Sequence, residues 1–505
     1  MIQLQGCDEK RAEWDRLNQI TSRLARKDPS IWGESARAEA SVRLGWVDLP
    51  QTSRDLLPAL DALSAWSREL GHDHFILCGM GGSSLAPEVM AKSFAKQLVV
   101  LDSTDPDQVA SAMNCDLSTS CIIIGSKSGS TLETASQRAL FSSLLREAGL
   151  DPRNHIVVVT DPGSPFDISA RQEGLRTINA DPNVGGRFSA LSAFGLVPAA
   201  LMGIDVSILL DDASAAAAQF IEPDSSVVRM AALLSDPKYS FVGFFDHGSN
   251  VPGLGDWIEQ LIAESTGKDG RGVLPVVVES ASNSIHPVIS FTRGAPVSVV
   301  GPLGAHFIFW EWVTALLGYL LQVDPFNQPN VTESKERTAK LLSRWEGHAS
   351  PKPIFESENL SLYSSKKVDS ITEALSDLVK AHNSRYLAIM AYLNRESDQS
   401  IAQLRPALEG KFQIPVTFGW GPRFLHSTGQ FHKGGPLVGA FLQITGAPHH
   451  SLPIPDAGYG FERLILAQAL GDNEALASRG LPTVRINLKK RREGINELLD
   501  FVSRM

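Results

Sequence analysis

The sequence predicts an α/β fold with two doubly wound, mainly parallel sheets and a C-terminal α/β extension. Short apolar runs alternate with segments of helical period, first as "HFILCG", "LVVLD", "CIIIGS" and "HIVVVTD", and again as "YSFVGFF", "GVLPVVVES" and "APVSVVGP". Buried strands that alternate with helices are typical of parallel sheets covered by helices. The runs "YLAIMAYL", "IPVTFGW", "GAFLQIT" and "TVRINL" repeat the pattern and predict a third folded section.

The length and composition support several domains. The chain has 505 residues, of which 43% are hydrophobic, and this size is typical of two or three domains. From about Gly347 to Ser370 the chain is rich in Ser, Pro, Glu and Lys, which predicts a connector because such a segment buries little apolar surface. We therefore predict a helical N-terminus with a first α/β domain over 1–204, a second domain over 205–347, and a linker with the C-terminal section over 348–505.

The charge limits the classes of partner. The formal net charge is -10, whereas nucleic acids and anionic lipids are bound by basic surfaces. The first thirty residues are polar and charged, unlike a signal peptide, and no apolar run is expected to reach membrane-spanning length. We expect a soluble, cytoplasmic protein that binds neither nucleic acid nor membrane.

A glycine-rich loop, "MGGSSLAPE", follows the first strand of the predicted sheet. Ligands of open parallel sheets bind at the carboxyl ends of the strands. Gly82 allows backbone amides to approach a ligand, and Ser83 can bind the ligand or cap the next helix. Gly79, Gly81 and Asp102 imitate part of a dinucleotide fingerprint whose third glycine is missing. The loop alone leaves cofactor binding, sugar binding and an ordinary turn open.

A second loop, "SKSGST", concentrates hydroxyl groups directly before an amphipathic helix. Its polar residues are Ser126, Lys127, Ser128, Ser130 and Thr131. A phosphate there would meet the amino-terminus of the helix as well as several hydroxyl donors. The alternative is that one hydroxyl caps the helix while the lysine is solvated. One hydroxyl suffices for a cap, so the density of hydroxyls favours a phosphate site.

Three further residues are candidates for catalysis. Arg187 in "NVGGRFSALSAFG" can stabilise a developing oxyanion, or it forms an ion pair at a helix start. Glu264, in the last turn of the helix in "DWIEQLIAESTGKDG", suits a carboxylate that takes and returns a proton, although a solvated glutamate is the commoner case. His306 in "GAHF" is predicted at a helix amino-terminus, where the neutral imidazole is favoured, and the alternative is a core histidine.

Taken in order, six motifs resemble the glucose-6-phosphate isomerase family, whose chains contain two flavodoxin-like sugar-isomerase domains. The motifs are "GMGGSSLAPE", "SKSGSTLET", "GGRFSALSAFG", "ESTGK", "GAHF" and "FNQPNVTESK". The segments "DPSIWG", "RLGWVDLP", "GPRFLHSTGQFHKGGP" and "AQALGDNEALASRG" are similar to the isomerase portion of bacterial transaldolase/glucose-6-phosphate isomerase fusions. We expect the transaldolase half to be absent, because only about 70 residues precede the first sheet and that half is a complete barrel.

The resemblance implies a role for each candidate catalytic residue. Glu264 corresponds to the base that moves a proton between carbons 1 and 2 of the open-chain sugar through an enediol, and Arg187 stabilises the enediolate. His306 and Lys335 correspond to residues implicated in ring opening, with Gln328 nearby in the site.

The resemblance also implies the substrate contacts and the partners. Gly82 and Ser83 form the first substrate loop, and the polar residues of 126–131 bind the phosphate of the sugar. The family uses neither a metal nor an organic cofactor. Its members are commonly dimeric, so we expect a homodimer in which the loop with His306 reaches the site of the partner subunit.

Some features of the sequence keep alternatives open. Asn330 and Thr332 stand where the lysine motif of the family usually has Gly and Glu, and 170 residues follow Lys335. The stretch from Arg423 to Lys433 is dense in polar groups, which either line a site or bond buried backbone. The alternatives to a glucose-6-phosphate isomerase are a broader phosphoglucose/phosphomannose isomerase and a non-catalytic sugar-phosphate sensor.

Overall fold

The structure, a computed structural model, describes residues 1–282, 284–345, 352–381 and 384–505. Its contacts form two compact units. Unit 1 comprises Met1–Asp102, Asn114–Thr266 and Arg271–Asn327, and unit 2 comprises Ser103–Met113, Gly267–Gly270 and Gln328–Met505. Unit 1 contains most of both predicted N-terminal domains, while Ser103–Met113, Gly267–Gly270 and the residues from Gln328 onward belong to unit 2. The predicted boundaries at 204 and 347 stay predictions.

The secondary structure alternates between helices and strands along most of the chain. The helices are α1 (Glu13–Ala25), α2 (Glu34–Ser41), α3 (Leu49–Thr52), α4 (Leu57–Glu69), α5 (Leu85–Ser93), α6 (Pro106–Met113), α7 (Leu132–Glu147), α8 (Pro165–Gln172), α9 (Ala193–Leu201), α10 (Val206–Ala217), α11 (Ser226–Leu234), α12 (Leu254–Thr266), α13 (Leu303–Leu321), α14 (Val331–Ser343), α15 (Ile371–Lys380), α16 (Leu404–Phe412), α17 (Gly429–Gly434), α18 (Phe461–Ala477) and α19 (Arg491–Ser503). The strands are β1 (Gln3–Gln5), β2 (His74–Gly79), β3 (Val99–Leu101), β4 (Ser120–Gly125), β5 (Ile156–Thr160), β6 (Arg176–Asn179), β7 (Phe241–Phe245), β8 (Leu274–Val277), β9 (Val288–Ser290), β10 (Val297–Val300), β11 (Phe355–Glu356), β12 (Leu360–Ser364), β13 (Tyr386–Tyr392), β14 (Val416–Trp420), β15 (Gly439–Gly446) and β16 (Thr483–Leu488).

The first sheet lies in unit 1 and is entirely parallel, with the order β3-β2-β4-β5-β6. This is the flavodoxin-like order, in which the direction of winding reverses between the first and third strands of the sheet, here β2 and β4. Strands β4 and β5 are buried along their whole length, as expected for a sheet covered on both faces. Gly79 and Gly125 pair at the ends of β2 and β4, so the two predicted substrate loops begin at the same level of the sheet.

The second sheet, also in unit 1, has the order β1-β10-β9-β7-β8. Strands β7 to β10 are parallel, and β1 is an antiparallel edge strand that pairs with β10. Strand β1 was not predicted from the sequence. Helix α13 lies in the apolar core of this unit, where Phe307, Phe309 and Trp310 have no exposed surface.

The third sheet lies in unit 2, with the order β11-β12-β16-β15-β13-β14. Its parallel strands β13 to β16 repeat the winding of the other two sheets, because the direction again reverses between the first and third strands, β13 and β15. The predicted α/β class, with two mainly parallel sheets and a C-terminal α/β extension, is therefore confirmed.

The prediction of a connector between Gly347 and Ser370 is wrong for its second half. Residues 347–351 of that stretch lie outside the described residues. The remainder contains β11 and β12, and β12 pairs antiparallel with β16. Leu360 and Leu362 alternate with polar residues and have no exposed surface. This period-2 signal spans too few residues to outweigh the polar composition around it.

One prediction about apolar runs also needs correction. Among the described residues, Leu303–Leu321, helix α13, is long and apolar enough to cross a membrane by length and composition. No such run was expected from the sequence. Of the most apolar 18 residues of this helix, 89% are buried inside the structure, and the core helix of a soluble protein can be equally long and apolar.

Candidate functional site

The loops after β2 and β4 meet through closely packed glycines and a serine. A Cβ atom on Gly82 would lie 2.0 Å from the carbonyl oxygen of Gly186, so the turn after β2 packs directly on the turn that carries Arg187. A Cβ atom on Gly125 would lie 3.2 Å from the Cβ of Ser83. The side chain of Ser83 is held by Met80, whose backbone amide donates to its Oγ over 3.0 Å. Gly82 and Ser83 therefore join the start of the hydroxyl-rich loop to the loop of Arg187.

Arg187 and Glu264 form a buried ion pair. The Nη1 of Arg187 lies 3.3 Å from the Oε1 of Glu264, and their side chains are 3% and 11% exposed. The other carboxylate oxygen, Oε2, accepts a hydrogen bond of 3.1 Å from Gln260, one turn earlier on α12. Glu264 lies in the last turn of its helix, as predicted, and its burial excludes the alternative of a solvated glutamate.

The guanidinium of Arg187 is held from several directions. Its Nε donates to the Oγ of Ser265 over 2.8 Å, and its Nη2 donates to the carbonyl oxygens of Pro325 and Asn327 over 2.6 and 3.0 Å. Asp324 in turn accepts a hydrogen bond from the backbone amide of Phe326, which fixes the loop that supplies these carbonyls. A group fixed in this way can stabilise developing negative charge without reorganising.

The hydroxyl-rich loop has an ordered core and an exposed tip. The Oγ of Ser126 accepts from the backbone amide of Gly129 over 3.1 Å and lies 3.4 Å from the Oγ1 of Thr131. Gly129 has a φ of +75°, and a Cβ there would lie 2.3 Å from that of Phe166, so the turn requires glycine. At the tip, the hydroxyls of Ser128 and Ser130 are exposed and lie 2.6 Å apart.

Lys127 is paired with other residues, whereas the alternative of a simple helix cap predicts a solvated lysine. Its Nζ pairs with the Oδ2 of Asp161 over 2.7 Å and donates to the carbonyl oxygen of Pro182 over 3.2 Å. Thr131 is the N-cap residue of α7, and its side chain makes no capping hydrogen bond. The loop thus brings Ser126, Lys127, Ser128, Ser130 and Thr131 together at a helix amino-terminus without a conventional cap, an arrangement that suits an anion.

His306 lies apart from these polar loops, in the apolar core. It is in the first turn of α13, as predicted, but it has no exposed surface and packs edge to face on Phe291 at 5.5 Å between ring centroids. Neither ring nitrogen hydrogen-bonds to any described residue. Burial lowers the pKa of His306 to about 3. This burial gives the ring no surface with which to contact a sugar, so the environment is that of the core-histidine alternative.

Lys335 and Gln328 belong to unit 2, and both are exposed. Lys335 is on α14, and it makes no hydrogen bond or ion pair within the part of the chain that the structure describes. The lysine motif forms the start of α14, although Asn330 and Thr332 depart from the pattern of the family.

The polar stretch from Arg423 to Lys433 is largely occupied in bonding buried groups of unit 2. Gln430 donates to the carbonyl oxygen of Gly267 and to the side chain of Asn330, and Lys433 forms an ion pair of 2.7 Å with Asp472. Both partners of that pair are 1% exposed. These contacts favour the structural alternative over a direct site role.

Two polar residues that contact the site were missed from the sequence. Gln260 lies four residues before Glu264, a spacing that places both side chains on one face of a helix. Asp161 follows β5 directly, so its position at the carboxyl end of a strand was available as a signal.

Comparison with known proteins finds similarity in the N-terminal part of the chain. Residues 64–284 match the family model described as Phosphoglucose isomerase. The sequence is 33% identical over 235 residues to a probable glucose-6-phosphate isomerase of Haloarcula marismortui, covering 43% of this chain and 54% of that protein. It is 34% identical over 249 residues to a glucose-6-phosphate isomerase of Thermus thermophilus, covering 46% of this chain and 58% of that protein. The chain thus spans little more than half the length of these relatives.

A solved structure shows the same fold. The crystal structure of a glucose-6-phosphate isomerase from Chlamydia trachomatis superposes with a TM-score of 0.53 at 20% sequence identity, covering 61% of this chain and 76% of that one. Identity at this level shows similarity of fold alone.

Proposed function

We propose that this protein is a glucose-6-phosphate isomerase that interconverts glucose 6-phosphate and fructose 6-phosphate. The observation that carries the proposal is the buried pair of Glu264 and Arg187, which the turn of Gly82 and Ser83 links to the hydroxyl-rich loop. The family match over 64–284 covers all of these residues. A protein that only binds a sugar phosphate needs the phosphate loop but has no need of a buried acid beside an arginine.

In the proposed reaction, Glu264 moves one proton between two carbon atoms. Its carboxylate removes the proton from carbon 2 of open-chain glucose 6-phosphate, and the electrons of that bond form the enediolate. The same carboxyl then returns the proton to carbon 1, while the hydroxyl proton on carbon 2 passes to the oxygen on carbon 1, which leaves a ketone at carbon 2 and a hydroxyl at carbon 1. Arg187 stabilises the negative charge of the enediolate, because its guanidinium is already fixed 3.3 Å from the acid.

The loop over 126–131 is the proposed phosphate site. Ser128 and Ser130 carry exposed hydroxyls, and the first amides of α7 follow directly. A helix amino-terminus with hydroxyl donors favours a dianionic group. The ion pair of Lys127 with Asp161 supports a role for this lysine in shaping the loop as well as in charge compensation.

Ring opening is proposed for Lys335 and His306, with Gln328 as a substrate contact, on the basis of the family resemblance. Lys335 has an exposed, unpaired ammonium within the described residues, as a group that exchanges protons with a ligand requires. His306 has no exposed surface, so its part in ring opening requires a rearrangement that exposes the ring. The homodimer is likewise a proposal, which light scattering of the purified chain tests.

The central experiment compares the unmodified protein with Glu264→Gln in the conversion of fructose 6-phosphate to glucose 6-phosphate, measured with a coupled dehydrogenase. We expect kcat to fall by about 10²–10⁴-fold, because the amide cannot act as a base. Glu69→Gln, an exposed glutamate on α4, is the control for loss of one charge and should retain full activity. An unmodified chain that binds the substrate without turning it over would contradict the proposal and favour a sensor. Turnover of mannose 6-phosphate in the same assay would identify the broader isomerase.

A second experiment separates ring opening from proton transfer. The compound 5-deoxyfructose 6-phosphate has no hydroxyl with which to close a furanose ring, so it is always open-chain. Incorporation of deuterium from D₂O, followed by NMR, reports proton transfer in both sugars. Lys335→Met should slow incorporation into fructose 6-phosphate and leave the deoxy compound unaffected, whereas Glu264→Gln should slow both. Equal slowing of both sugars by Lys335→Met would refute the ring-opening role.

A further inference from the structure

Unit 2 contains a cavity of about 520 Å³ that none of the proposed catalytic residues lines. Its walls come from the end of β12, the start of β16, helix α18 and the segment before β16. This volume is within the range of about 300–1,000 Å³ found for sites of small organic ligands. Apolar side chains such as Leu470 and Leu481 form part of the wall, and hydroxyls of Ser364 and Thr483 form another part.

The charged groups of this cavity all have the same sign. Lys352, Lys366 and Arg485 line it, and among the fourteen described residues around it there is no aspartate or glutamate. The chain as a whole carries a formal net charge of -10, so a local excess of three positive charges runs against the overall balance. Neither lysine makes an ion pair with any residue that the structure describes.

The buried member of this group is Arg485. It is 8% exposed, and its guanidinium carbon lies 3.7 Å from the ring centroid of Tyr363, the residue directly opposite on β12. Within the described part of the chain, Arg485 has no carboxylate partner. Burying a cation without an anion is costly, and stacking on an aromatic face compensates for only part of this cost. Burial accordingly lowers the pKa of Arg485.

The cavity is also separate from the edge at which parallel sheets usually bind ligands. It adjoins Thr483, the first residue of β16, and therefore lies at the amino-terminal end of that strand. Ligands of doubly wound sheets bind at the opposite edge, beyond the carboxyl ends of the strands. The basic cavity therefore lies at the edge of the third sheet opposite to the usual ligand-binding edge.

We propose that the cavity of Lys352, Lys366 and Arg485 binds a small organic anion with at least two negative charges, of the phosphate or polycarboxylate class. Arg485 meets one anionic group from the floor of the cavity, and the two flexible lysines meet the others at its mouth. The hydroxyls of Ser364 and Thr483 supply neutral donors, and the apolar wall accepts the carbon skeleton. This site does not depend on the isomerase activity proposed above.

Isothermal titration calorimetry of the full chain tests the proposal with two probes, citrate and inorganic pyrophosphate, and with glycerol as a neutral control. We expect one probe to bind with a stoichiometry of one per chain, which also distinguishes the carboxylate class from the phosphate class. Lys352→Gln/Lys366→Gln should weaken that binding by at least about tenfold, because two charge-assisted contacts are lost. Both lysines are exposed, so this variant should fold normally.

The matched control is Lys367→Gln, an exposed neighbour of Lys366 that does not line the cavity. It removes one positive charge next to the site and should change the affinity by less than about twofold, since exposed charges are screened. The proposal is overturned if neither probe binds the unmodified chain at millimolar concentration. It is also overturned if the double variant binds as well as the unmodified chain, or if Lys367→Gln weakens binding as strongly.

A second variant, Arg485→Leu, separates a ligand site from a structural stacking contact. If the arginine is retained for the anion, its removal should abolish probe binding and leave the chain at least as resistant to urea, because an uncompensated buried charge has been removed. If the arginine serves only the fold, probe binding should persist and resistance to urea should fall. That second result would overturn the role of Arg485 in the site.

Discussion

The first and third sheets have the same winding but use the carboxyl ends of their strands differently. In the first sheet, the point of reversal between β2 and β4 is lined by glycines and by a loop with exposed hydroxyls at Ser128 and Ser130. In the third sheet, the equivalent point between β13 and β15 is closed by a buried arginine, Arg491. Topology provides the crevice in both cases, and the loop side chains decide whether it stays open.

The closure in the third sheet is a network of four charges. The guanidinium of Arg491 lies 2.6 Å from Asp105, 3.1 Å from Asp398 and 3.2 Å from Asp107. Its Nε also donates to the carbonyl oxygen of Ala447, just after β15. All four charged side chains are less than a tenth exposed. The N–H groups of Arg491 are thus directed at internal partners rather than at a ligand.

One carboxylate of this network, Asp107, is stabilised in its charged form. Burial alone raises the pKa of Asp107, but hydrogen bonds from His449 and His450, together with Arg491, outweigh burial and lower the pKa to about 2. A carboxyl whose folded pKa is depressed contributes stability above its unfolded pKa, near 3.8, and loses it as the pH falls toward 2. The pair of Asp107 with Arg491 therefore holds at neutral pH, where the proposed enzyme works, whereas burial raises the pKa of Asp398.

The largest effect that tests this comparison is expected from Arg491→Leu. The substitution leaves three buried carboxylates without their cation, and breaking such a pair costs about 3–5 kcal/mol. Urea unfolding should show this loss in the free energy of unfolding. Arg492→Leu, at the exposed neighbouring position on α19, is the control and should cost less than about 0.5 kcal/mol. Equal stability of the two variants would show that the network does not stabilise the third sheet.

The next largest effect concerns the loops at the carboxyl ends of the first sheet and is measured as kcat/KM. In Gly82→Ala, the added methyl would lie 2.0 Å from the carbonyl oxygen of Gly186, so the turn before Arg187 must shift. A displacement of about 1 Å at a catalytic group can reduce kcat/KM on the order of 100-fold. The control is Gly185→Ala, where the nearest atom, on Phe188, is 3.9 Å away. If both alanines reduced kcat/KM alike, close packing at Gly82 would not be the cause.

Much of this comparison was predictable from the sequence, and the reason differs between the sheets. The strands of the first sheet are continuous apolar runs such as "CIIIGS", and the side chains that act follow them directly, so position in the chain indicated position in space. Arg491 pairs with Asp105 across 386 residues, and no local pattern reports such a contact. No local pattern indicates the contact of Arg187 with the carbonyl oxygen of Pro325 either, because the two residues are 138 positions apart in the sequence. His306 was located correctly at a helix start, yet its burial depends on the packing of the whole unit.

The buried histidines offer a smaller contrast between the units. Burial lowers the pKa values of His306 in unit 1 and His432 in unit 2 to about 3. His432 hydrogen-bonds to the buried hydroxyl of Tyr386, whereas His306 has no such partner among the described residues. His432→Leu should therefore cost about 1 kcal/mol, because it removes the hydrogen bond to that hydroxyl, and His306→Leu should be close to neutral or stabilising.

The two histidines also predict how stability depends on pH. Their folded pKa values are below the ordinary value of 6.5, so the unfolded chain binds more protons between pH 6.5 and 3. Stability is full above pH 6.5 and falls on acidification, by up to about 1.4 kcal/mol per pH unit for each histidine. Urea unfolding measures the free energy of unfolding at pH 7.5 and at pH 5. The difference between these two values should be smaller in His306→Leu than in the unmodified chain. An unchanged difference would mean that His306 accepts a proton in the folded protein.

The smallest effect is expected at the exposed tip of the phosphate loop. Ser128→Ala/Ser130→Ala removes two hydroxyls that bond each other over 2.6 Å and leaves the ordered core of the loop, from Ser126 to Thr131, in place. Each hydroxyl contributes about 0.5–1.5 kcal/mol to a hydrogen bond, so KM for fructose 6-phosphate should rise on the order of tenfold with little change in kcat. Ser143→Ala, a partly exposed serine later on α7, is the control. A fall in kcat without a rise in KM would show that the tip acts on the transition state alone. The phosphate of the substrate would then bind elsewhere than at this loop of the first sheet.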